Sequence, residues 1–474
     1  MKSKTNIRRM GVSLSALIVF FISSPVLVIA SHSAGGEISY THISGSTYNI
    51  RFVFFRDCFG ISAPTSASLS VSSVSCNINQ AYTLVPLPGT GMDVVLPCPV
   101  AVTTCNGGLE RGIQKWEYGV NVVLSGQCPD WIFSVTICCR NYASTCTGGG
   151  NLYVEARLNN ANGDNNSPQF TNNPFVAACI NQNTHYNNGM YDADGDSLVY
   201  RLIDARNDAN TSVSYIPPNS GQQPFISVPP ITFDYFTGDL IMHPITQETG
   251  PIVFEVLDYR NGELMGSVMR EIMMYTQACI NESPTATEMN GTSQQIAYVF
   301  PNDTICFDIF SDDPDAGNVL TMTWNQVIPS AAFTVTGAQH PTGTFCWTPV
   351  INDVRSQPYM FTAMIRDDNC PLNNAGIYSY YIYVTLDSSL VFLNTDSREE
   401  SFSYYPYPNP SSGLFTVESS HPFSFLKIYN ALGECILDKT YKNTVDLSNM
   451  QPGLYFIEVV APDGKSKLLK MVKE

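Results

Sequence analysis

The fold is decided near the middle of the chain by the stretch Tyr191-Asp192-Ala193-Asp194-Gly195-Asp196 and the run 197–202 that follows it. Aspartates around a glycine are typical of a turn, and the largely apolar run after them is typical of a β-strand. A second aspartate cluster, Asp312-Asp313-Pro314-Asp315, is likewise followed by a strand-like run, 319–324. We therefore predict two similar units, each made of short strands joined by turns.

Other segments of the two units can be aligned with each other. Asn166-Ser167-Pro168 corresponds to Glu282-Ser283-Pro284, and a cysteine follows each of them. The remaining matched pairs are 231–235 with 343–347, 252–258 with 359–367, and 268–275 with 378–386. Repeats of ~110 residues with many short strands fit tandem β-sandwiches. The stretch YDADGDSLVYRL resembles cadherin-like and Ig-like repeats of bacterial surface proteins, which implies sandwiches at 164–281 (the second unit) and 282–387 (the third unit).

Composition favours an all-β protein and restricts its partners. The chain has 474 residues, among them 25 Tyr and 25 Phe, and only 14% of its residues are charged. Aromatic residues favour strands, and no long segment has helical periodicity. The formal net charge of −17 argues against nucleic acid and anionic membranes as partners, because both repel an acidic protein.

The last segment, 405–474, has a pattern of its own. It opens on the proline-rich stretch 405–413, continues with strand-like runs between turns such as Pro452-Gly453, and ends on a basic strand, 465–473. The motifs YPNPSSG, LKIYNALGE, VDLSNMQPGLYFIEV and KLLKMVKE resemble, in this order, the type A C-terminal sorting domain of the type IX secretion system. The resemblance implies a small β-sandwich that the secretion machinery and its sortase recognise. It also implies export to the outer surface of a Gram-negative bacterium, or release from it.

The N-terminal residues 1–30 have the features of a signal peptide. Four basic residues precede an apolar run, and Val28-Ile29-Ala30 is a small-residue cleavage site. A transmembrane anchor is the alternative, but serines and a proline interrupt the apolar run. No later apolar run approaches the ~20 residues of a membrane span, so we expect none in the mature chain.

Fourteen cysteines behind a signal peptide predict disulfide bonds. Eight of them lie between Cys58 and Cys146, which marks 31–163 as a disulfide-rich β domain whose pairing the sequence leaves open. Adjacent strand residues point to opposite faces, so Cys138 and Cys139 are expected to join two separate disulfides. The segments AGGEISYTHISGSTYNIRFVFFRDCFG and VTICCRN resemble the N-terminal region of surface proteins associated with gliding motility, which implies surface placement.

Two bridges are predicted across the third unit. The cysteines that form them are, in pairs, Cys306 with Cys346 and Cys279 with Cys370. Cys179 has no evident partner, since Asp234 stands in the second unit where the third unit has Cys346. Cys435 lies in an apolar strand and is predicted to be a buried free thiol.

The aspartate cluster of the second unit is a candidate calcium site. Calcium takes six to eight oxygen ligands, mostly carboxylates and carbonyls held on flexible loops. Asp192, Asp194 and Asp196 alternate around Gly195, so their carboxylates can converge on one side of a turn. Asp258, at the end of a strand of the same unit, is expected to complete the set.

The third unit offers a parallel set of acids. Its members are Asp312, Asp313, Asp315, Asp367 and Asp368. The alternative for both clusters is that exposed turns simply favour aspartate and glycine. Calcium is the cofactor that these patterns predict.

No catalytic motif is present in the sequence. Gly-x-Ser-x-Gly, His-Glu-x-x-His and a Walker loop are all missing, so we expect a protein without enzyme activity. The predicted order is a disulfide-rich domain, two sandwiches, a polar linker at 388–404 and the sorting domain. This order favours an adhesin or surface scaffold that binds a surface polysaccharide or another cell-surface ligand. The alternatives are a carbohydrate-binding module protein and a secreted hydrolase that uses a pair of distant carboxylates.

Overall fold

A computed structural model of the chain describes residues 33–94, 101–174, 176–370, 373–387, 404–419, 422–430, 434–461 and 466–474. The predicted signal peptide at 1–30 and the linker at 388–404, apart from Tyr404, lie outside these residues. Strands dominate the described residues, and their only helices are three 3₁₀ turns. The predicted all-β class is therefore confirmed.

The N-terminal region forms a sheet whose two end strands both pair with one strand of the second unit. Its strands are β1 (Ser33–Ser44), β2 (Thr47–Asp57), β3 (Ala67–Ser73), β4 (Ile78–Pro86), β5 (Met92–Asp93), β6 (Ile113–Val123), β7 (Trp131–Cys138) and β8 (Asn151–Leu158), with a 3₁₀ turn at Thr104–Asn106. They pair antiparallel in the order β1-β2-β6-β4-β3-β7-β8. Strand alternation gives this sheet two apolar faces: Phe52 and Phe54 fill one core, whereas Val53 and Phe55 belong to a second core.

The second unit adds a long strand pair and a small facing sheet. Its strands are β9 (Gln169–Phe170), β10 (Ala177–Cys179), β11 (Thr184–Tyr186), β12 (Met190–Tyr191), β13 (Ser197–Ile203), β14 (Arg206–Asp208), β15 (Thr211–Ser212), β16 (Thr232–Phe233), β17 (Leu240–Met242), β18 (Thr249–Arg260) and β19 (Glu263–Gln277). The strands β10, β19, β18 and β13 are neighbours in this order, and β11-β17-β16 forms a separate sheet. Both sets contribute to one core, where Tyr186 and Leu240 pack with Phe254 and Ile272.

The third unit is a sandwich of two four-stranded sheets. Its elements are β20 (Thr285–Ala286), a 3₁₀ turn at Met289–Gly291, β21 (Ile296–Val299), β22 (Ile305–Asp312), β23 (Thr321–Trp324), β24 (Ala332–Thr336), β25 (Thr342–Trp347), a 3₁₀ turn at Ile351–Asp353, β26 (Tyr359–Arg366) and β27 (Ala375–Val384). The sheets β20-β22-β25-β24 and β21-β27-β26-β23 enclose a core rich in aromatic rings, in which Phe345 and Phe361 stack 4.4 Å apart.

The strand orders of the second and third units correspond. The set β10-β19-β18-β13 matches β21-β27-β26-β23, and β11-β17-β16 matches β22-β25-β24. One sequence match was wrong, because 231–235 contains β16, whose counterpart is β24 and not β25. The Thr-Phe pair occurs in both β16 and β25, and this local similarity placed the segments one strand out of step.

The C-terminal domain is a separate small sandwich. Its strands are β28 (Tyr404–Tyr407), β29 (Leu414–Ser419), β30 (Phe425–Asn430), β31 (Cys435–Thr440), β32 (Thr444–Asp446), β33 (Gly453–Val460) and β34 (Ser466–Lys473). The sheets β28-β29-β32 and β31-β30-β33-β34 share a core that includes Phe415, Leu426 and Ile457. Cys435 is a free thiol, but it is exposed and not buried as predicted. The physical reason is that β31 is the edge strand of its sheet.

The boundary predicted between 31–163 and 164–281 does not separate two sheets. One edge of β19 pairs along its length with β18, and the other edge pairs in turn with β8, β1 and β10. At the contact with β1, Arg270 forms a buried ion pair with Glu37, and the neighbouring Glu271 pairs with Arg140. The N-terminal region and the second unit therefore share a strand and a core.

The disulfide bonds correct two expectations. Cys306 is bonded to Cys346 as predicted, whereas Cys279 is bonded to Cys179 and not to Cys370, which is itself disulfide-bonded. The reason is that β10 runs parallel to the end of β19, so Cys179 and the cysteine that follows β19 lie with their Cα atoms 5.5 Å apart.

The N-terminal region contains the second correction. Among its described residues, the bridges between distant cysteines are Cys58–Cys105 and Cys76–Cys128. Cys138 is bonded to Cys139, and not to a separate partner. The alternation argument fails here because β7 ends at Cys138, so its neighbour is not a strand residue. Cys146 is a buried free thiol.

We predict that Arg270→Ala lowers the free energy of unfolding by about 3–5 kcal/mol, because it leaves the Glu37 carboxylate buried without its partner. Urea unfolding followed by tryptophan fluorescence measures this loss. Arg51→Ala is the matched control, since its pair with Glu117 is partly exposed and is worth roughly 0–1 kcal/mol. Equal losses in the two variants would contradict the role assigned to the junction of β1 and β19.

Candidate metal centre

The aspartate loop of the second unit joins β12 to β13. Asp192 begins the loop, and its Oδ1 atom accepts hydrogen bonds from the backbone N–H groups of Asp194 at 3.0 Å and Asp196 at 2.8 Å. Gly195 has a φ of 75°, a left-handed conformation that favours glycine. The turn that the sequence predicts is therefore present, and one carboxylate organises it.

Three of the four predicted ligands come together. One oxygen each of Asp192, Asp196 and Asp258 lie within 4.8 Å of one another, and all three residues are buried. The register of the sheet explains this meeting, because Asp258 on β18 pairs with Leu198, two residues after Asp196. In the part of the chain that the structure describes, this is the only group of three such residues close enough to share a metal ion.

The fourth predicted ligand, Asp194, is not part of this group and forms hydrogen bonds with other residues. Its Oδ2 atom accepts hydrogen bonds from the Arg260 guanidinium at 2.9 Å and from the Asn166 backbone at 2.7 Å. Arg260 also donates to both oxygens of Asp196, at 2.9 and 2.8 Å. The guanidinium thus balances Asp194 and Asp196, and it leaves the charges of Asp192 and Asp258 without a cation.

Burial disfavours the charged form of these two carboxyls. It raises the pKa of Asp192 to about 6, with added repulsion from Asp196. Burial also raises the pKa of Asp258 to about 8, with added repulsion from Asp192. Oδ2 of Asp192 and Oδ1 of Asp258 are buried and have no hydrogen-bond partner among the described residues. An all-oxygen set with desolvated, unpartnered oxygens fits a hard cation such as calcium.

Sequence reasoning missed two polar neighbours of this cluster. The Asn165 side-chain amide donates to Asp258 Oδ2 at 2.6 Å and to the Tyr40 hydroxyl at 3.1 Å. Asn165 stands directly before the Asn166-Ser167-Pro168 motif, as Asn281 does before the matching motif of the third unit. This shared position was the available signal. Tyr40 comes from β1 and carried no signal, because its contact crosses the predicted domain boundary.

The third unit repeats most of the same network. Asn281 donates to Asp367 Oδ2 at 2.7 Å, and Asp313 Oδ1 accepts the backbone N–H of Asp315 at 2.8 Å. Burial raises the pKa of both Asp313 and Asp367. The residue equivalent to Asp196 is Gly317, so a third acid is missing from this cluster.

The other predicted ligands of the third unit lie apart. Asp312 is exposed, and its carboxylate lies 3.1 Å from the His340 ring. Asp368 accepts a hydrogen bond from the backbone N–H of Val319 at 2.8 Å. The third unit therefore brings together two buried acids, whereas the second unit brings together three.

One comparison with known proteins is informative for the C-terminal domain. Residues 406–474 match the family described as the secretion system C-terminal sorting domain. This match confirms the predicted sorting domain and supports a cargo that is secreted or displayed at the cell surface. In the residues that the structure describes, no helix has the length and apolar character needed to cross a membrane. The resemblance of 31–163 to gliding-motility-associated proteins stays a prediction.

The other comparisons add little. No curated protein matches the chain. Mouse clustered PcdhgC3 EC1-3 is 10% identical, with 63% of this chain and 98% of that chain covered and a TM-score of 0.17. Drosophila N-cadherin EC1-3 is 11% identical, with 64% and 98% covered and a TM-score of 0.19. At such scores the likeness carries no argument, and the fold class follows from the strands themselves.

We predict that stability in the presence of a chelator falls as the pH rises. Because the folded pKa of Asp258, about 8, lies above its ordinary value of 3.8, its contribution is fully present below pH 3.8 and is lost as the pH passes 8. We expect the free energy of unfolding to drop by about 4 kcal/mol between pH 5 and pH 8.5. Asp258→Asn is expected to remove most of this slope in urea titrations.

The exposed Asp312 provides the control. Asp312→Asn changes an acid of the third unit that lies outside the buried cluster, so the slope is expected to stay as in the unaltered protein. A slope that survives Asp258→Asn would show that other groups cause it. Asp192, Asp196, Arg260 and Tyr40 are the titratable groups around Asp258, and their variants would then be compared.

Proposed function

We propose that this protein is a non-catalytic adhesin or surface scaffold, exported through its C-terminal domain and stiffened by calcium in the second unit. The observation that supports calcium binding is the buried group of Asp192, Asp196 and Asp258. Two carboxylate oxygens of this group have no hydrogen-bond partner among the described residues. Two buried negative charges are costly unless they are protonated or paired with a cation. A calcium ion would supply that cation, with these three side chains as its protein ligands.

The position of the site supports a stiffening role. Asp192 and Asp196 belong to the loop between β12 and β13, whereas Asp258 lies on β18 and contacts Asn165 from the segment before β9. A cation shared by these carboxylates would tie the loop to the sheet. The same segment also contacts β1, because the Ser167 hydroxyl forms hydrogen bonds with the backbone of Tyr40. The cation would therefore fix the N-terminal region as well.

Contacts between the second and third units also favour a rigid scaffold. Ser379 on β27 donates to the Asp239 carboxylate at 2.7 Å, and the Tyr381 hydroxyl donates to the Thr237 carbonyl at 3.1 Å. The His185 and Tyr378 rings stack 5.1 Å apart. Such a rigid pair of units suits a protein that holds a ligand or another surface component in a defined position.

We predict that calcium raises the melting temperature of the mature chain by several degrees over the value in chelator. A ligand that binds only the folded state adds ~2.7 kcal/mol of stability at a hundred times its dissociation constant. Differential scanning calorimetry measures the shift, which is expected to disappear in a variant with Asp192→Asn and Asp258→Asn. The matched control carries Asp313→Asn and Asp367→Asn, and it is expected to keep most of the shift, because the third unit lacks the third acid.

A calcium shift of equal size in the second-unit variant would place the ion elsewhere. Absence of any shift in the unaltered protein would remove calcium from the proposal. The raised pKa of Asp258, about 8, would then mean that this carboxyl is mainly protonated near neutral pH. The calcium shift is also expected to grow from pH 5.5 to pH 8, since the ion displaces protons from the Asp192 and Asp258 carboxyls.

We predict that cells expressing the chain without 405–474 retain it in the periplasm. The reason is that the sorting domain carries the address for export, and the remaining regions have their own cores and do not need it to fold. Cell fractionation and surface labelling distinguish the two locations. Surface labelling of the shortened chain at the level of the full chain would refute the sorting role.

A further inference from the structure

A cleft of about 500 Å³ opens where the second unit, the third unit and the C-terminal domain meet. Its walls are unusually rich in tyrosine rings, which come from all three parts. The tyrosines that line it are Tyr191, Tyr200, Tyr298, Tyr359, Tyr381, Tyr383, Tyr404 and Tyr405. The carboxylates of Asp192, Asp196 and Asp234 and the guanidinium of Arg355 lie among these rings. Apart from Tyr404 and Tyr405, these groups lie outside the C-terminal domain, so the sorting role does not account for the cleft.

The third unit builds the aromatic wall by strand alternation. On β27, Tyr380 and Ile382 point into the core of the sandwich, whereas Tyr381 and Tyr383 point outwards to the cleft. Tyr383 stacks on Tyr298 of the parallel strand β21, with the ring centroids 5.2 Å apart and an angle of 17° between the rings. The two rings are half-buried, so this stacked pair, called the platform below, is accessible from the cleft.

Polar groups stand beside this platform. The Arg355 guanidinium lies over the Tyr359 ring at 3.6 Å, and Asp192, Asp196 and Asp234 also line the cleft. Binding sites for small molecules combine aromatic surfaces with a few polar groups that fix the orientation. A pyranose ring matches both features, because its C–H face packs on an aromatic ring and its hydroxyl groups donate to carboxylates.

The charge of the lining separates a saccharide from other ligands. Asp192, Asp196 and Asp234 are matched by Arg355, Lys467 and Lys470, so the lining has no net formal charge and favours neither an anionic nor a cationic ligand. These charged groups also disfavour an acyl chain, since burying unpaired charges under hydrocarbon is costly. A neutral saccharide can satisfy the carboxylates through its hydroxyl groups without bringing a charge of its own.

The C-terminal domain covers this cleft with strand β34. The Lys470 ammonium lies 5.7 Å from the centre of the Phe236 ring, and Glu474 forms an ion pair of 2.6 Å with Arg201 on β13. Ion pairs at such partly exposed positions contribute roughly 0–1 kcal/mol each. These two contacts of the cover are therefore weak, and a competing ligand can displace them.

We propose that the cleft is a binding site for a neutral saccharide, and that the C-terminal domain covers this site and competes with the sugar for it. The platform Tyr298–Tyr383 stacks the sugar ring. Asp234 and Arg355 orient its hydroxyl groups. This inference goes beyond the proposed scaffold role and does not depend on calcium, so its test is carried out in chelator.

The test uses the mature chain with a protease recognition sequence placed between residues 388 and 404. The probes are the neutral hexasaccharides of glucose, xylose and N-acetylglucosamine, and isothermal titration calorimetry measures their affinity before and after the cut. The C-terminal domain is removed after the cut by gel filtration in high salt. We expect the cut protein to bind at least one hexasaccharide at least tenfold more tightly than the uncut protein does.

Two variant pairs test the platform in the cut protein. Tyr298→Ala with Tyr383→Ala is expected to abolish binding, whereas Tyr298→Phe with Tyr383→Phe keeps both rings and is expected to retain it. The phenylalanine pair thereby separates loss of the platform from loss of the fold. Tyr142→Ala, which changes an exposed tyrosine outside the cleft, serves as the matched surface control.

One variant pair tests the cover in the uncut chain. Lys470→Glu places a carboxylate beside Asp234 and is expected to strengthen saccharide binding, because it weakens the hold of β34. Lys442→Glu is the control, since this exposed lysine lines a different hollow of the C-terminal domain. Binding that is equal before and after the cut would overturn the covering role.

Two further outcomes would overturn the saccharide site. The first is that the cut protein binds none of the three hexasaccharides. The second is that it binds hexalysine in their place, which would make the cleft an acidic docking surface for basic segments such as β34. Retention of saccharide binding by the double alanine variant would move the site away from Tyr298 and Tyr383.

Discussion

The structure depends on one strand that two parts of the chain share, the N-terminal region and the second unit. Strand β19 offers one edge to β18 and divides its other edge among β8, β1 and β10. Two adjacent charged residues of this strand, Arg270 and Glu271, are fully buried and find their partners in Glu37 and Arg140 of the N-terminal region. Since a buried charge without a partner is costly, β1 and the loop after β7 are held in one arrangement. This arrangement of β1 against β19 also fixes how the two cores pack on the opposite faces of the sheet.

The second and third units share a network of hydrogen bonds and differ by one charge within it. In each unit an asparagine before the Ser-Pro motif donates to an aspartate at the end of a long strand, as Asn165 does to Asp258 and Asn281 to Asp367. Asp196 adds a third carboxylate in the second unit, where the third unit has Gly317. The difference of one side chain separates a cluster that fits a cation from a pair of buried acids.

The same region connects the candidate metal centre to the surface of the protein. Asp192 and Asp196 lie between the buried Asp258 and the tyrosine-lined cleft, so a single loop takes part in both sites. The C-terminal domain, which carries the sorting address, rests on this cleft through β34. The two proposals thereby place stiffening and saccharide binding on neighbouring surfaces, next to the domain that carries the sorting address.

The sequence by itself determined the features that depend on neighbours along the chain. These are the all-β class, the duplicated strands, the aspartate turn around Gly195 and the sorting domain, because alternation and turn chemistry act over a few residues. The tertiary structure alone decided the partner of Cys279 and the sharing of strand β19. It also decided that Asp194 pairs with Arg260 and that Cys435 is exposed. Each of these depends on the register and the neighbours of strands far apart in the sequence, which no local pattern records.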